Sequence, residues 1–391
     1  MNILAISKFP PMQGGESTSA FFLFDELAKR QHTITVLTNH NDVRSNNRCL
    51  FTKDDSVRLR QNHNLTIATV VGDPVPDFIP QYDPKTEKLL NMGMQLIRQQ
   101  KFDLIYGWYF LPYASAAYLL SEIFTIPFVL QHAGSDFTQL YPNKDLRHYI
   151  DTVIRASAGV LTYPKTKEYF EERKQHTLLV QKRPPPDIYS PVGHRADFMA
   201  EFDIRCDLAS TFLCLGKFSV AKGFYQLIEA FRSIENATLL ILCPNKKAVG
   251  VDLPKNVILL DCVSPWRIPA IIRSVKAVIV PEWNFNVDLH RSGVPIESLL
   301  CGRTAIVSNQ IIGHYGWLRR FMVGIDTPSI DHVASTIKSV ILDECINDAV
   351  TRHHAEIRSA LGTFSEYVDQ VEKFLALSVA LKNDGPSPPE L

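Results

Sequence analysis

Gly216-Lys217-Phe218-Ser219-Val220-Ala221-Lys222-Gly223-Phe224 is the stretch that decides how this chain folds. It follows an apolar run, Thr211-Phe212-Leu213-Cys214-Leu215, and leads into a periodic segment from Tyr225 to Phe231. That order reads as buried strand, glycine turn and helix. The free N–H groups and positive dipole end of a helix N-terminus favour an anion. Two ammonium groups flanking such a turn suit a diphosphate. A solvated lysine pair on an ordinary strand-to-helix loop has the same local sequence, so the surroundings must separate the two readings.

Working outward, the same strand–helix alternation recurs on both sides. Downstream, apolar strands are expected at Thr238–Leu242, Val257–Leu260, Ala277–Val280 and Thr304–Val307, with helices near Pro269–Val275 and from about Pro295. Upstream, Asn2–Ser7 is a short apolar strand. A loop with Pro10, Pro11, Gly14 and Gly15 follows, then an amphipathic helix with Phe21, Phe24, Leu27 and Ala28 on one face, then a strand from Thr33 to Leu37. This is a β-α-β unit with a glycine turn before its helix, the opening of a parallel doubly wound sheet. Leu104–Tyr106, Phe128–Leu130 and Val160–Thr162 continue it as strands, and Tyr113–Phe124 as a helix.

Arg183-Pro184-Pro185-Pro186-Asp187 interrupts the alternation. Three prolines fix φ and remove donors, so the segment is no helix and no central strand. It is expected to link two domains. The fold class that follows is α/β, with two doubly wound Rossmann-like domains facing each other across a cleft. The expected boundaries are 1–184, 185–363, a last helix at 364–382 and a Pro/Gly/Ser-rich disordered tail at 383–391. In the last helix Tyr367, Val371, Phe374, Leu375 and Val379 share a stripe.

Composition narrows the function. The chain has 391 residues, enough for two domains. Acidic and basic residues balance at 41 each, so no global field recruits nucleic acid or an anionic membrane. Seven cysteines are scattered without a Cys-x-x-Cys pair, which argues for reduced thiols in a cytoplasmic protein and against a zinc site. The first residues lack the pattern of a secretory signal, and no uninterrupted apolar stretch reaches the roughly 20 residues that span a bilayer.

Several further residues stand where chemistry is expected. Glu297 falls in the first turn of the helix that begins near Pro295. It either accepts bonds from two neighbouring hydroxyls, as on a ribose, or complements the helix dipole. His132 follows the strand Phe128–Leu130. Its imidazole either bonds a substrate hydroxyl or phosphate oxygen, or is a loop ring that packs. Asp136 is a functional carboxylate or a cap on the helix before Phe137. Gly14-Gly15-Glu16 mirrors the lysine turn in the first domain, where glycines let a ligand approach the backbone. It is neither a P-loop nor a dinucleotide turn. The aromatics Trp108, Tyr109, Phe110 and Tyr113 either line an acceptor site or pack beneath it.

Taken in order, these segments resemble the retaining glycosyltransferases of family 4, which have the GT-B architecture. The likeness runs over most of the chain. The opening strand with its S-K-F-P-P-M-Q-G-G loop is similar to that family's first β-α-β unit. Gly216 to Phe231 is similar to its G-R-x4-K-G-x3-L-I-E-A-F pattern, and Glu297 to Ile306 to its E-A-x3-G-x-P-V pattern.

The resemblance implies roles. Lys217, where the family has arginine, and Lys222 would hold the diphosphate of a sugar nucleotide and, with His132, form the catalytic set. Gly14, Gly15, Gly216 and Glu297 would contact the donor, Glu297 as the ribose-holding member of an E-x7-E pair. Glu16 and Asp136 are the candidates for acceptor contact. The helix 364–382 would cross back to the first domain.

One position departs from the pattern. Leu289 occupies the site of the first glutamate. Its neighbours Asp288, His290 and Arg291 are the substitutes expected at the donor.

The expected activity is transfer of a sugar from a nucleotide-diphosphate donor to a glycan, lipid-linked sugar or small molecule, with retention of configuration. No Asp-x-Asp motif appears, so no metal and no separate cofactor are expected. Localisation is expected to be cytoplasmic, with peripheral membrane contact left open. Leu289 keeps a second class in view: a sugar-nucleotide-binding protein or interaction subunit without turnover. A third is an epimerase or phosphorylase of the same architecture.

Overall fold

The computed structural model describes residues 1–41, 47–70, 84–172, 178–180, 183–244, 250–283 and 292–383. The chain forms two units. One takes the described residues within 1–45, 52–183 and 365–391, the other those within 46–51 and 184–364. The boundary thus falls between Arg183 and Pro184, at the first proline of the triple.

The first unit is built on a parallel sheet of β1 (Asn2–Ile6), β2 (Thr33–Thr38), β3 (Leu65–Thr69), β4 (Leu104–Trp108), β5 (Phe128–Gln131), β6 (Gly159–Thr162) and β7 (Leu178–Val180). Their spatial order is β3-β2-β1-β4-β5-β6-β7. β1 pairs with β2 through Ile3↔Ile34 and with β4 through Ile3↔Leu104. Ile3, Leu4, Ala5 and Ile6 are all fully buried. A strand covered on both faces reads as an uninterrupted apolar run, which is why the chain's opening segment has no polar alternation.

The second unit repeats the plan with β8 (Thr211–Leu215), β9 (Thr238–Leu242), β10 (Val257–Leu260), β11 (Ala277–Val280), β12 (Thr304–Ser308) and β13 (Met322–Ile325). The order is β10-β9-β8-β11-β12-β13, again parallel. The helix Phe224–Phe231 covers one face, burying Phe224, Leu227, Ile228 and Phe231 against Phe212, Leu239 and Ile279.

In each sheet the crossovers reverse direction once, between β1 and β4 and between β8 and β11. Two adjacent strands there send their chains away to opposite sides, which opens a crevice at the carboxyl ends. Both glycine turns singled out in the sequence lie at these points.

Two segments join units in ways that chain order alone does not suggest. The helix Phe364–Asn383 belongs, beyond its first residue, to the first unit. There Tyr367, Val368, Val371, Phe374 and Leu375 are buried, and Arg30 Nη1 meets Glu372 at 2.6 Å. Residues 47–51 group with the second unit, whereas the proline count assigned all of 1–184 to the first. The expected tail at 383–391 lies, past Asn383, outside the described residues. No helix among the described residues is long and apolar enough to cross a membrane.

Candidate functional site

The switch point of the second unit is shaped by glycine geometry. Gly216 ends β8 at φ +137°, and Gly223 precedes the helix Phe224–Phe231 at φ +69°. A Cβ on Gly223 would stand 2.1 Å from the Pro281 carbonyl oxygen and 2.7 Å from Thr327 Cγ2. Only glycine lets the turn press against the end of β11. The Trp283 N–H donates to the Ala221 carbonyl at 3.1 Å and stitches the two loops together. Phe218 turns inward onto Phe224 and Tyr225, with ring centroids 5.1 and 4.9 Å away.

The two lysines of the turn therefore have different surroundings. Lys222 is anchored. Its backbone N–H donates to the Ser219 carbonyl at 3.2 Å, and its Nζ donates to the carboxylate of Glu282. Glu282 is buried, its side chain only 3% exposed against 22% for Lys222. Lys217 is exposed and makes no ion pair among the described residues. Glu282 was missed by sequence reading. The signal was a carboxylate directly after the buried strand Ala277–Val280 and Pro281, in a stretch where no surface helix explains it.

Glu297 lies in the first turn of the helix Val294–Leu300, half-buried, with Oε1 3.4 Å from where a Cβ on Gly293 would stand. It lies close enough to the buried Tyr189 that, after burial itself, its charge is the next cause pushing the phenol pKa well up. The helix follows β11, so Glu297 shares the carboxyl edge with Lys222 and Glu282. Asp288, Leu289, His290 and Arg291 lie outside the described residues.

The switch point of the first unit carries a different set. Gly14, at φ +127°, precedes the helix Gly15–Lys29, and a Cβ on Gly15 would meet nothing within 4 Å. The next residue, Glu16, is held. Trp108 Nε1–H donates to Oε2 at 2.7 Å, and the guanidinium of Arg183 reaches both oxygens at 3.3 and 3.4 Å. Arg183 also lies over the Trp108 ring, 5.6 Å from its centroid. Burial works against the charge of Arg183, but Glu16, Tyr163 and Tyr367 outweigh it and raise its pKa. Arg183, the last residue before the prolines, and Tyr367 of the final helix were not singled out in the sequence.

His132 and Asp136 take structural positions. His132 is fully buried, ringed by Phe137, Tyr163 and Phe170 at 5.3–5.5 Å. Gly134 N–H donates to its Nδ1 at 3.1 Å, so the proton of the neutral ring sits on Nε2 and is donated to Thr162 Oγ1 at 2.8 Å. Burial lowers its pKa to about 3. Both ring nitrogens are thus engaged by the protein in this structure.

Asp136, also buried, accepts from the backbone N–H groups of Ala133 and Phe137 at 2.8 Å and of Phe110 at 3.0 Å. It sits inside the first turn of the helix Ser135–Leu140 and latches the loop after β5 to the loop after β4. Burial raises its pKa to about 6 against the pull of those three bonds. Three backbone N–H groups thus hold its two oxygens in place. Trp108, Phe110 and Tyr113 are buried, so they pack rather than line an open site.

No family model and no curated protein sequence matches this chain. Solved structures do. Sucrose-phosphate synthase from Thermosynechococcus elongatus aligns over 97% of this chain and 99% of its own, with a TM-score of 0.68 at 14% identity. HepE from Anabaena, solved with UDP and glucose, aligns over 96% and 99%, with a TM-score of 0.60 at 14% identity. A UDP-N-acetylglucosamine 2-epimerase aligns over 99% of both chains, with a TM-score of 0.63 at 10% identity. The chain therefore has the GT-B fold, two Rossmann-like domains, as the sequence led one to expect. An epimerase shares that fold with the transferases, so activity must be argued from the site.

Proposed function

We propose that this chain is a glycosyltransferase that moves a sugar from a nucleoside diphosphate sugar to an acceptor hydroxyl, with retention of configuration. The observation that carries this is the turn Gly216–Gly223 at the β8/β11 switch point: one lysine anchored by a buried carboxylate, the other exposed and without an ion pair among the described residues. In the proposed reaction the bond from the anomeric carbon to the diphosphate oxygen breaks and negative charge grows on the leaving group. Lys217, Lys222 and the amides opening the helix Phe224–Phe231 meet that charge. Fixed donors of this kind typically lower a barrier by about 3 kcal/mol each. Lysine supplies charge without the planar fork of arginine, so Lys217 acts as a point cation. Glu297 accepts from the ribose hydroxyls. The two lysines take the place of a divalent ion, so a chelator leaves the rate unchanged.

The test uses a panel of nucleoside diphosphates and their sugars. A matching ligand raises Tm with concentration, because it binds only the folded chain. The matching nucleoside diphosphate sugar then releases its nucleoside diphosphate on transfer, and Glu297→Ala removes both effects. If no nucleoside diphosphate shifts Tm, the assignment fails.

A second reading is favoured by His132. With both ring nitrogens engaged by the protein, the His132 imidazole has no free nitrogen for a reacting group. A sugar-nucleotide-binding protein without turnover would show the Tm shift and no product. An epimerase would convert the donor without any acceptor.

A further inference from the structure

Residues 47–51, between β2 and the helix Lys53–Leu59, belong to the second unit. There Leu50 forms a parallel bridge with Val263, and its N–H donates to the Cys262 carbonyl at 2.7 Å. Phe51 packs edge-on against Trp266, with ring centroids 5.4 Å apart. Val263 follows β10, the edge strand of that sheet. In a parallel pair, the residues one step back from a bridge also stand abreast and on a common face. The register therefore sets Cys49 beside Cys262, near enough that Cys49, ahead of burial, is the first cause pushing the Cys262 thiol pKa up. Both are free and half-buried.

We propose that Cys49 and Cys262 are a reversible disulfide site, closed by a low-molecular-weight disulfide such as glutathione disulfide, which locks segment 47–51 onto the end of β10. Residues abreast in neighbouring strands lie about 5 Å apart, inside the window of roughly 4.4–6.8 Å between Cα atoms that a disulfide spans. Cys49 Sγ gives up its proton and attacks one sulfur of the oxidant, whose other half leaves as a thiolate. Cys262 Sγ then gives up its proton and attacks Cys49 Sγ, and the second half leaves. Two protein thiols are oxidised to one disulfide, and the oxidant is reduced to two thiols that carry the two protons.

Of the other five cysteines, Cys214, Cys243 and Cys301 are buried, Cys206 is half-buried, and Cys345 is exposed near acidic neighbours.

The experiment uses the full chain. It is incubated with glutathione disulfide, alkylated in denaturant and digested for mass mapping. Alkylatable thiols should fall from seven to five, with the Cys49 and Cys262 peptides cross-linked. Tm should rise and return when dithiothreitol is added. Cys49→Ser and Cys262→Ser, both isosteric and fold-conserving, should each abolish the rise. Seven alkylatable thiols, a reaction that stops at a mixed disulfide on Cys49, or a cross-link between other positions would overturn the proposal.

Discussion

The two switch points of this molecule are built alike and charged differently. In the first unit, Glu16 follows the glycine pair and is neutralised in place by Arg183 and the Trp108 N–H. In the second, Lys222 is neutralised by Glu282, but Lys217 is left exposed beside it. One edge has its charges compensated internally. The other keeps a cation to offer. A backbone plan repeated twice thus gives two like crevices, and among the described residues the exposed Lys217 is what sets their charge apart.

Breaking the second edge should have the largest effect. Lys222→Ala leaves Glu282 buried without its cation, which costs about 3–5 kcal/mol when one partner of a buried pair is removed. Nucleoside diphosphate release should fall about 100-fold or more. Adding Glu282→Gln removes the stranded charge, so the double variant should recover most of the lost stability in a denaturant titration but none of the activity. Equal loss in single and double variants would show that the pair is not coupled.

Gly223→Ala tests the shape of the same edge. The added methyl meets the Pro281 carbonyl at a positive φ, and a loss of roughly 2–4 kcal/mol is expected. Arg183→Ala tests the first edge. It should cost about 1–3 kcal/mol by unpairing Glu16 and leave nucleoside diphosphate binding unchanged, in contrast to Lys222→Ala.

A pH series separates two buried titratable groups of the first unit, His132 and Asp136. His132 titrates near 3 folded and near 6.5 unfolded, so its contribution is full above 6.5 and is lost as pH falls towards 3, by about 1.4 kcal/mol per pH unit. Asp136 titrates near 6 folded and 3.8 unfolded, so its protonated form adds stability below 3.8 and loses it as pH rises to 6. Between about pH 4 and 6 the two slopes oppose each other. His132→Asn should leave stability rising as pH falls through that interval, where the parent chain is nearly flat. The smallest effect on stability belongs to Lys217→Ala, within about 0.5 kcal/mol. The same variant should weaken nucleoside diphosphate binding about tenfold, which is what a ligand-facing cation predicts.

The fold was legible because fully covered parallel strands announce themselves. Asn2–Ile6, Thr211–Leu215 and Ala277–Val280 are apolar throughout, and the glycines at 216 and 223 mark the turn. Edge strands were harder. β3 reads L-T-I-A-T and β13 reads M-V-G-I, both half-covered and too mixed in polarity to stand out. The lysine turn was found by charge at a helix start. Its partner Glu282 was not, because contact across 60 residues leaves no local pattern. His132 is a converse case. Its place after a buried strand left chemistry and packing both open, and Gly134, Thr162 and three aromatic rings surround it. Burial of a ring is decided by residues far along the chain, which a local reading does not weigh.

The final helix has a consequence for how the molecule is made. Gly159 opens β6, and a methyl there would collide with Ser378 Oγ at 2.6 Å and Phe374 Cζ at 2.7 Å. The first unit is therefore capped by residues translated after the whole of the second. During synthesis its β6 flank stays bare of Phe374 and Leu375 until the last helix emerges, a window in which a chaperone or a truncated product would find exposed apolar surface. Ribosome-bound chains stopped before residue 364 should be digested within the first unit by protease, while the second unit resists.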